Sequence, residues 1–112
     1  EAINDKLLTI WGNGLRKMQY IFIEDVILHI LKGLEIPSGI YNLGGNSYDT
    51  VIETANHIAE YFGAKTKFLP DKKEGETLPF MDNSKVMNTL DKNYFSNHKL
   101  ALNQYLDDIL SK

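Results

Sequence analysis

Between Val51 and Phe62 the apolar residues recur at helical spacing, with Ile52, Ala55, Ile58, Ala59 and Phe62 on one stripe and Gly63 at its end. Thr50 and Glu53 stand ahead of it as an S/T-x-x-E capping box, so the spacing predicts a helix over Thr50–Phe62. Just upstream, Gly39-Ile40-Tyr41-Asn42-Leu43-Gly44-Gly45 is a β-leaning run closing on two glycines, followed by the polar gap Asn46-Ser47-Tyr48-Asp49. The expectation is strand, tight turn and helix, with Ile40–Leu43 packed against the helix. In α/β proteins ligands are met at such a turn, although paired glycines alone predict no more than a change of direction.

The same reading extends along the chain. Leu7–Trp11 and Leu15–Ile23 are β-leaning runs joined through Gly12-Asn13-Gly14, which predicts a hairpin, and the alternation from Met18 to Ile23 is apolar on both faces. Glu24 and Asp25 place negative charge where a helix starts. Val26, Ile27, Ile30, Leu31 and Leu34 continue it at helical spacing, and it should stop before Pro37. Thr66–Leu69 reads as a short strand, and Pro70–Pro79 as a long charged loop without apolar period. A short helix is expected over Lys85–Leu90, capped by Asp82, Asn83 or Ser84, and a last one over Asn97–Leu110. The fold class expected is α/β: a small mixed domain of about four short strands and about four helices, spanning 1–112 as a single domain.

Composition narrows the function classes. Twelve basic against fifteen acidic residues give a net charge of −3, which offers no electrostatic footprint for nucleic acid or an anionic membrane. No apolar run approaches the roughly 20 residues that a membrane span needs. The absence of cysteine excludes disulfides, a cysteine nucleophile and thiolate metal sites, and with a reducing compartment as the default the expected location is the cytoplasm. The first residue is Glu1, as expected of a piece cut from something longer.

Candidate chemistry is sparse. His29, His57 and His98 fall in different expected helices without a second ligand one turn away, so they are expected as surface or boundary histidines and no metal site is anticipated. The carboxylate pairs Glu24-Asp25, Glu74 with Glu76, and Asp107-Asp108 sit at helix ends or in a mixed-charge loop, where solvated charge is the expectation. Gly12-Asn13-Gly14 begins like a dinucleotide fingerprint, but Lys17 stands at the third glycine position and the glycines precede a strand. Tyr61 and Lys65 have a Tyr-x-x-x-Lys spacing that Gly63 interrupts as a helix stop.

Six stretches taken in order carry a resemblance: Gly12-x-Gly14; Tyr20-Ile21-Phe22-Ile23-Glu24-Asp25-Val26; Gly39 to Gly45; Thr50 to Ile58; Pro70 with Glu74-Gly75-Glu76; and Asp82-Asn83-Ser84-Lys85. Together they resemble the carboxyl-terminal part of the extended short-chain dehydrogenase/reductases, the NAD-dependent epimerases and dehydratases of nucleotide sugars. The resemblance runs from about Leu8 to Leu90 and implies the substrate-side portion of a longer enzyme. The Rossmann portion, with its NAD or NADP loop and catalytic Tyr-x-x-x-Lys, would lie upstream. It implies no catalytic residue in this segment, which alone should be inactive. The implied partners are a nucleotide-sugar-like small molecule and the missing Rossmann portion.

By the same resemblance, Lys73 occupies the place of a diphosphate-binding arginine, Glu76 that of the acidic residue after the turn, Phe80 that of an aromatic lining the sugar pocket, and Asn42 a position beside the substrate. The family's other phosphate-binding arginine is replaced by Met18, with Arg16 two residues earlier as its possible substitute. Methionine offers no grip on phosphate, and lysine only a point charge. Two readings follow. The first is an enzyme fragment that exposes an apolar docking patch rimmed by Tyr20, Phe22 and Tyr41. The second is a stand-alone, non-catalytic binding module derived from the same fold, for which Met18 is the argument.

Overall fold

In the computed structural model, which describes residues 1–112, the elements run α1 (Ala2–Asp5), β1 (Leu7–Trp11), β2 (Lys17–Met18), α2 (Ile23–Lys32) with a 3-10 turn over Gly33–Glu35, β3 (Asp49–Thr50), α3 (Val51–Phe62), β4 (Lys65–Leu69), α4 (Ser84–Leu90) and α5 (His98–Leu110). The chain forms two units, one from residues 1–18 and 49–78, the other from 19–48 and 79–112.

In the first unit β1 and β4 pair in parallel, Leu7 opposite Lys65 through Trp11 opposite Leu69, and α3 packs on both strands. Ile10 and Ala59 are buried in this layer, with Ala2 of α1 beside them. The helix is built as its sequence requires. Thr50 Oγ1 accepts from the Glu53 amide at 3.2 Å, Glu53 Oε2 accepts from the Thr50 amide at 2.8 Å, and Gly63 closes the helix in the left-handed conformation at φ 63°.

The expected hairpin does not form. β1 takes β4 as its partner, and β2 pairs antiparallel with β3 through Lys17–Thr50 and Met18–Asp49. Five residues, 12–16, separate β1 from β2, and their backbone groups bond to other parts of the unit. Gly12 and Gly14 take positive φ, Gly12 N–H extends the parallel ladder to the Leu69 carbonyl, and Gly14 accepts from the Ile52 amide. The run expected to be apolar on both faces is correspondingly short of a strand: pairing ends at Met18, and Ile23 already opens α2.

In the second unit Val86, Phe95, Ala101 and Leu106 are buried, together with the polar Asp25, His29 and Asn83. Asp25 is not the solvated charge expected at a helix start: its carboxylate accepts from Ser96 N–H at 2.8 Å and from Ser96 Oγ–H at 2.6 Å. His29 is likewise no boundary residue. Its Nδ1 donates to the Asp25 carbonyl at 2.6 Å and its ring stacks on Phe95 at 4.2 Å. The inward face of α2 is therefore polar and hydrogen-bonded, while Ile23, Ile27, Ile30 and Leu31 on the opposite face are each more than half exposed. Ile40–Leu43 joins no sheet, and the partners of α3 are α1, β1, β3 and β4.

Candidate functional site

The glycine turn of the first unit and the charged loop after β4 are laid against each other. Glu74 Oε2 accepts from the Asn13 and Gly14 amides at 3.0 and 3.2 Å, and its Oε1 from the Arg16 amide at 2.8 Å. Three converging N–H groups form a nest for an anion, filled by the chain's own carboxylate. Asn13 Oδ1 accepts from the Leu15 amide at 3.0 Å and shapes the same turn. Next along the loop, Arg16 Nε donates to the Glu76 carbonyl at 2.8 Å, and Lys17 N–H donates to Thr77 Oγ1 at 3.1 Å.

Three of the expected site residues thus belong to one small region. Arg16 and Glu76 touch, although Glu76 contributes its backbone carbonyl and keeps its carboxylate exposed, and Lys73 is exposed on the same loop. Glu74 was expected to be solvated; it is the residue that organises the loop. A concavity of about 410 Å³, lined by Asn56, Ala59, Glu60, Ala64, Lys65 and Thr66, contains none of these residues.

Asn42 and Phe80 belong to the second unit. Asn42 is exposed, and Phe80, about half exposed, meets Tyr48 with ring centroids 5.6 Å apart. The neighbouring glycines are held by two amide side chains, Gln19 and Asn83, of which the sequence marks Asn83 only as a possible helix cap. Asn83 Oδ1 accepts from the Gly44 amide at 2.7 Å while its Nδ2 donates to the Gly44 carbonyl at 2.6 Å. Gln19 Nε2 donates to the Gly45 carbonyl at 2.9 Å and the Met81 carbonyl at 3.0 Å, and its Oε1 accepts from the Met81 amide at 2.7 Å. Gly45 itself lies on the Tyr20 carbonyl oxygen, where a Cβ has no room. Asn83 stands at the N-cap of α4 without capping it. Asp82 Oδ1 takes the Ser84 amide instead, at 2.9 Å, and that bond holds the Asp82 carboxyl below the usual aspartate range.

Of the residues expected to rim an apolar patch, Tyr20 is exposed and Phe22 and Tyr41 are half-buried. Tyr20 stacks on the His98 ring at 5.9 Å, and Tyr41 donates its hydroxyl to the Pro37 carbonyl at 2.7 Å with Lys85 Nζ 4.7 Å from its ring centroid. The outer face of α2 is a further exposed apolar surface, continued by Leu34 at 83% exposure, and Ile40 is exposed to 86%.

The two patterns that the sequence sets aside have these local geometries. The nest at Gly12–Arg16 leads into a strand and is filled by Glu74, and the left-handed Gly63 ends α3 between Tyr61 and Lys65. No helix is long and apolar enough to cross a membrane.

No protein-family model and no curated protein matches the chain. Solved structures do. An NAD-dependent NDP-hexosamine 5,6-dehydratase of tunicamycin biosynthesis matches at TM-score 0.82 and 14% identity, covering 99% of this chain and 37% of its own. The ADP-L-glycero-D-manno-heptose-6-epimerase of Helicobacter pylori matches at TM-score 0.79 and 22% identity, covering 99% and 35%. The UDP-glucuronic acid 4-epimerase of Bacillus cereus, solved with UDP-glucuronic acid and NAD, matches at TM-score 0.70 and 22% identity, covering 91% and 35%. The chain spans little more than a third of each. At these identities the likeness establishes the fold, an α/β arrangement that recurs within sugar-nucleotide epimerases and dehydratases.

Proposed function

We propose that the chain is the substrate-side, carboxyl-terminal portion of an NAD(P)-dependent epimerase or dehydratase acting on a nucleotide sugar. The observation that carries the reading is coverage: nearly the whole chain superposes on about a third of enzymes named for such substrates. The outer face of α2 and the unpaired Ile40–Leu43 support it, since an apolar helix face and a β-leaning segment without a ladder are what a larger sheet would cover. The segment is a single substrate-binding piece, and the cofactor is held by the upstream portion.

In this reading Arg16 and Lys73 hold the diphosphate, Arg16 as a planar fork and Lys73 as a mobile point charge. Glu76, on the same loop as Lys73, orients the sugar. Loop 71–80 fixes where the substrate lies, which is the contribution of binding groups remote from the chemistry. No hydride or proton step is assigned to this chain, and alone it is inactive.

Met18 favours a second reading, a non-catalytic binding module, because the position of a phosphate-binding arginine is spent on a β2–β3 pair. Calorimetric titration of UDP-, dTDP- and ADP-sugars into the chain, with Lys73→Ala as control, tests binding. A heat signal that weakens in the variant is expected, and flat heats with every sugar nucleotide would sink substrate binding by this segment. The intact mass of the gene product in its source cells separates the two readings: several times 12.8 kDa for the enzyme, 12.8 kDa for the module.

A further inference from the structure

Arg16 is the chain's only arginine, and its setting is built. Its Nε is committed to the Glu76 carbonyl at 2.8 Å, which leaves the two terminal nitrogens of the fork for a ligand. The guanidinium lies flush on Gly75: a Cβ at Gly75 would stand 2.8 Å from Nη1 and 2.9 Å from Cζ. Gly75 does not take positive φ, so what a Cβ there would change is the place of the guanidinium and not the backbone conformation. One residue earlier, the Glu74 carboxylate is clasped by the Asn13, Gly14 and Arg16 amides, and a Cβ on Gly12 would collide with Glu74 Oε2. Charge-assisted bonds to backbone donors are among the stronger ones, and these three fix the loop against the turn. Lys17 N–H to Thr77 Oγ1 extends the same register.

We propose that residues 74–76 are a latch that makes Arg16 a preorganised phosphate-binding fork, with Glu74 and Gly75 as positioning residues. The proposal rests on the nucleotide-sugar reading for the identity of the phosphate, a diphosphate, but not for the geometry. Glu74 sets the loop, Gly75 gives the guanidinium its bed, and the Glu76 carbonyl fixes its rotation. The substitution of Met18 for arginine is thereby offset from the neighbouring turn.

A lone arginine gives one Nε–H resonance that assigns itself, so the test is a ¹⁵N NMR titration of the full chain with inorganic pyrophosphate. In the unsubstituted chain that resonance is protected from exchange and shifts on titration. Gly75→Ala leaves the Asn13, Gly14 and Arg16 amide signals in place, because the latch itself is untouched, but displaces the Arg16 signal. Arg16→Lys and Gly75→Ala each weaken pyrophosphate on the order of tenfold, the loss expected for one charge-assisted bond. Glu74→Gln loses protection at all three amides and at Arg16 Nε–H together.

Pyrophosphate that leaves Arg16 Nε–H unmoved, or binding unchanged in both Gly75→Ala and Glu74→Gln, overturns the latch. A chain that behaves as expected with pyrophosphate but binds no sugar nucleotide keeps the latch and sinks the nucleotide-sugar reading instead.

Discussion

Replacing Asn83 with alanine removes both hydrogen bonds to the Gly44 peptide, at 2.7 and 2.6 Å, from a position only 5% exposed. Gly44 is itself buried, so its N–H and C=O find no water in exchange. Each lost bond is worth about 1 kcal/mol net, and each stranded polar group adds a desolvation penalty, so about 2–5 kcal/mol of destabilisation is expected. Urea denaturation reads this directly: with a slope of about 1–3 kcal/mol per molar for a small protein, the midpoint falls by about 1 M or more at unchanged slope. Asn83→Asp is the sharper variant. A carboxylate still accepts from the Gly44 amide but turns lone pairs towards the Gly44 carbonyl, so it should be no more stable than the alanine variant. A midpoint for Asn83→Ala within about 0.5 kcal/mol of the unsubstituted chain, the range of an ordinary surface change, would refute the reasoning.

Gly45→Ala should leave little native protein by near-ultraviolet circular dichroism, because its Cβ meets the Tyr20 backbone carbonyl, which has no freedom to swing away. Gly33→Ala, in open space at φ −59°, should instead raise stability by about 0.5–1 kcal/mol in thermal melts. Asp82 should titrate below the same residue in a short peptide, since the Ser84 amide and then its hydroxyl stabilise the carboxylate. A depressed folded value means that the contribution is present above the unfolded value and lost as pH falls through the folded one. Carbon-detected NMR should therefore show the start of α4 loosening only in that acid window, and Asp82→Asn should abolish the step. On α2, Ile27→Glu and Ile30→Glu should each cost no more than about 1.5 kcal/mol in the same melts, because both side chains are already half exposed or more.

The elements readable in the sequence were those specified locally. The Thr50–Glu53 box and Gly63 define α3 without help from elsewhere, and Asn97, whose Oδ1 accepts from the Leu100 amide at 3.2 Å, opens α5 as its position implies. Strand partners were not readable. Gly12-Asn13-Gly14 has hairpin composition, yet its amides are taken by a carboxylate about sixty residues away in sequence, and that claim on the turn carries no periodic signal. The same holds for Gln19 and Asn83. Each is a polar residue in an otherwise unremarkable context whose partners are backbone groups of distant glycines, and neither propensity nor spacing marks such a bond. Among the residues expected at the site, Arg16 and Glu76 meet, while Glu74, which holds the loop on the turn, read as one more solvated acid.

Helix α2 shows how far an apolar stripe carries an argument. The spacing of Val26, Ile27, Ile30, Leu31 and Leu34 reads as one apolar face, which Ile23 joins in the structure, and ordinarily that face is the one buried. Here the face turned inward holds Asp25 on Ser96 and His29 on Phe95, so the helix has partners of its own on its polar side and none on its apolar side. Fully covering a large aliphatic side chain is worth about 1.5–3 kcal/mol, and the four on α2, Ile23, Ile27, Ile30 and Leu31, are already nearly half covered, so the stripe represents about 4–7 kcal/mol of unrealised burial. That sum is comparable with the whole stability of a small domain. An apolar face left open opposite a specifically hydrogen-bonded one is the kind of surface that the proposed enzyme-fragment reading would cover. The stand-alone module leaves that surface without an occupant.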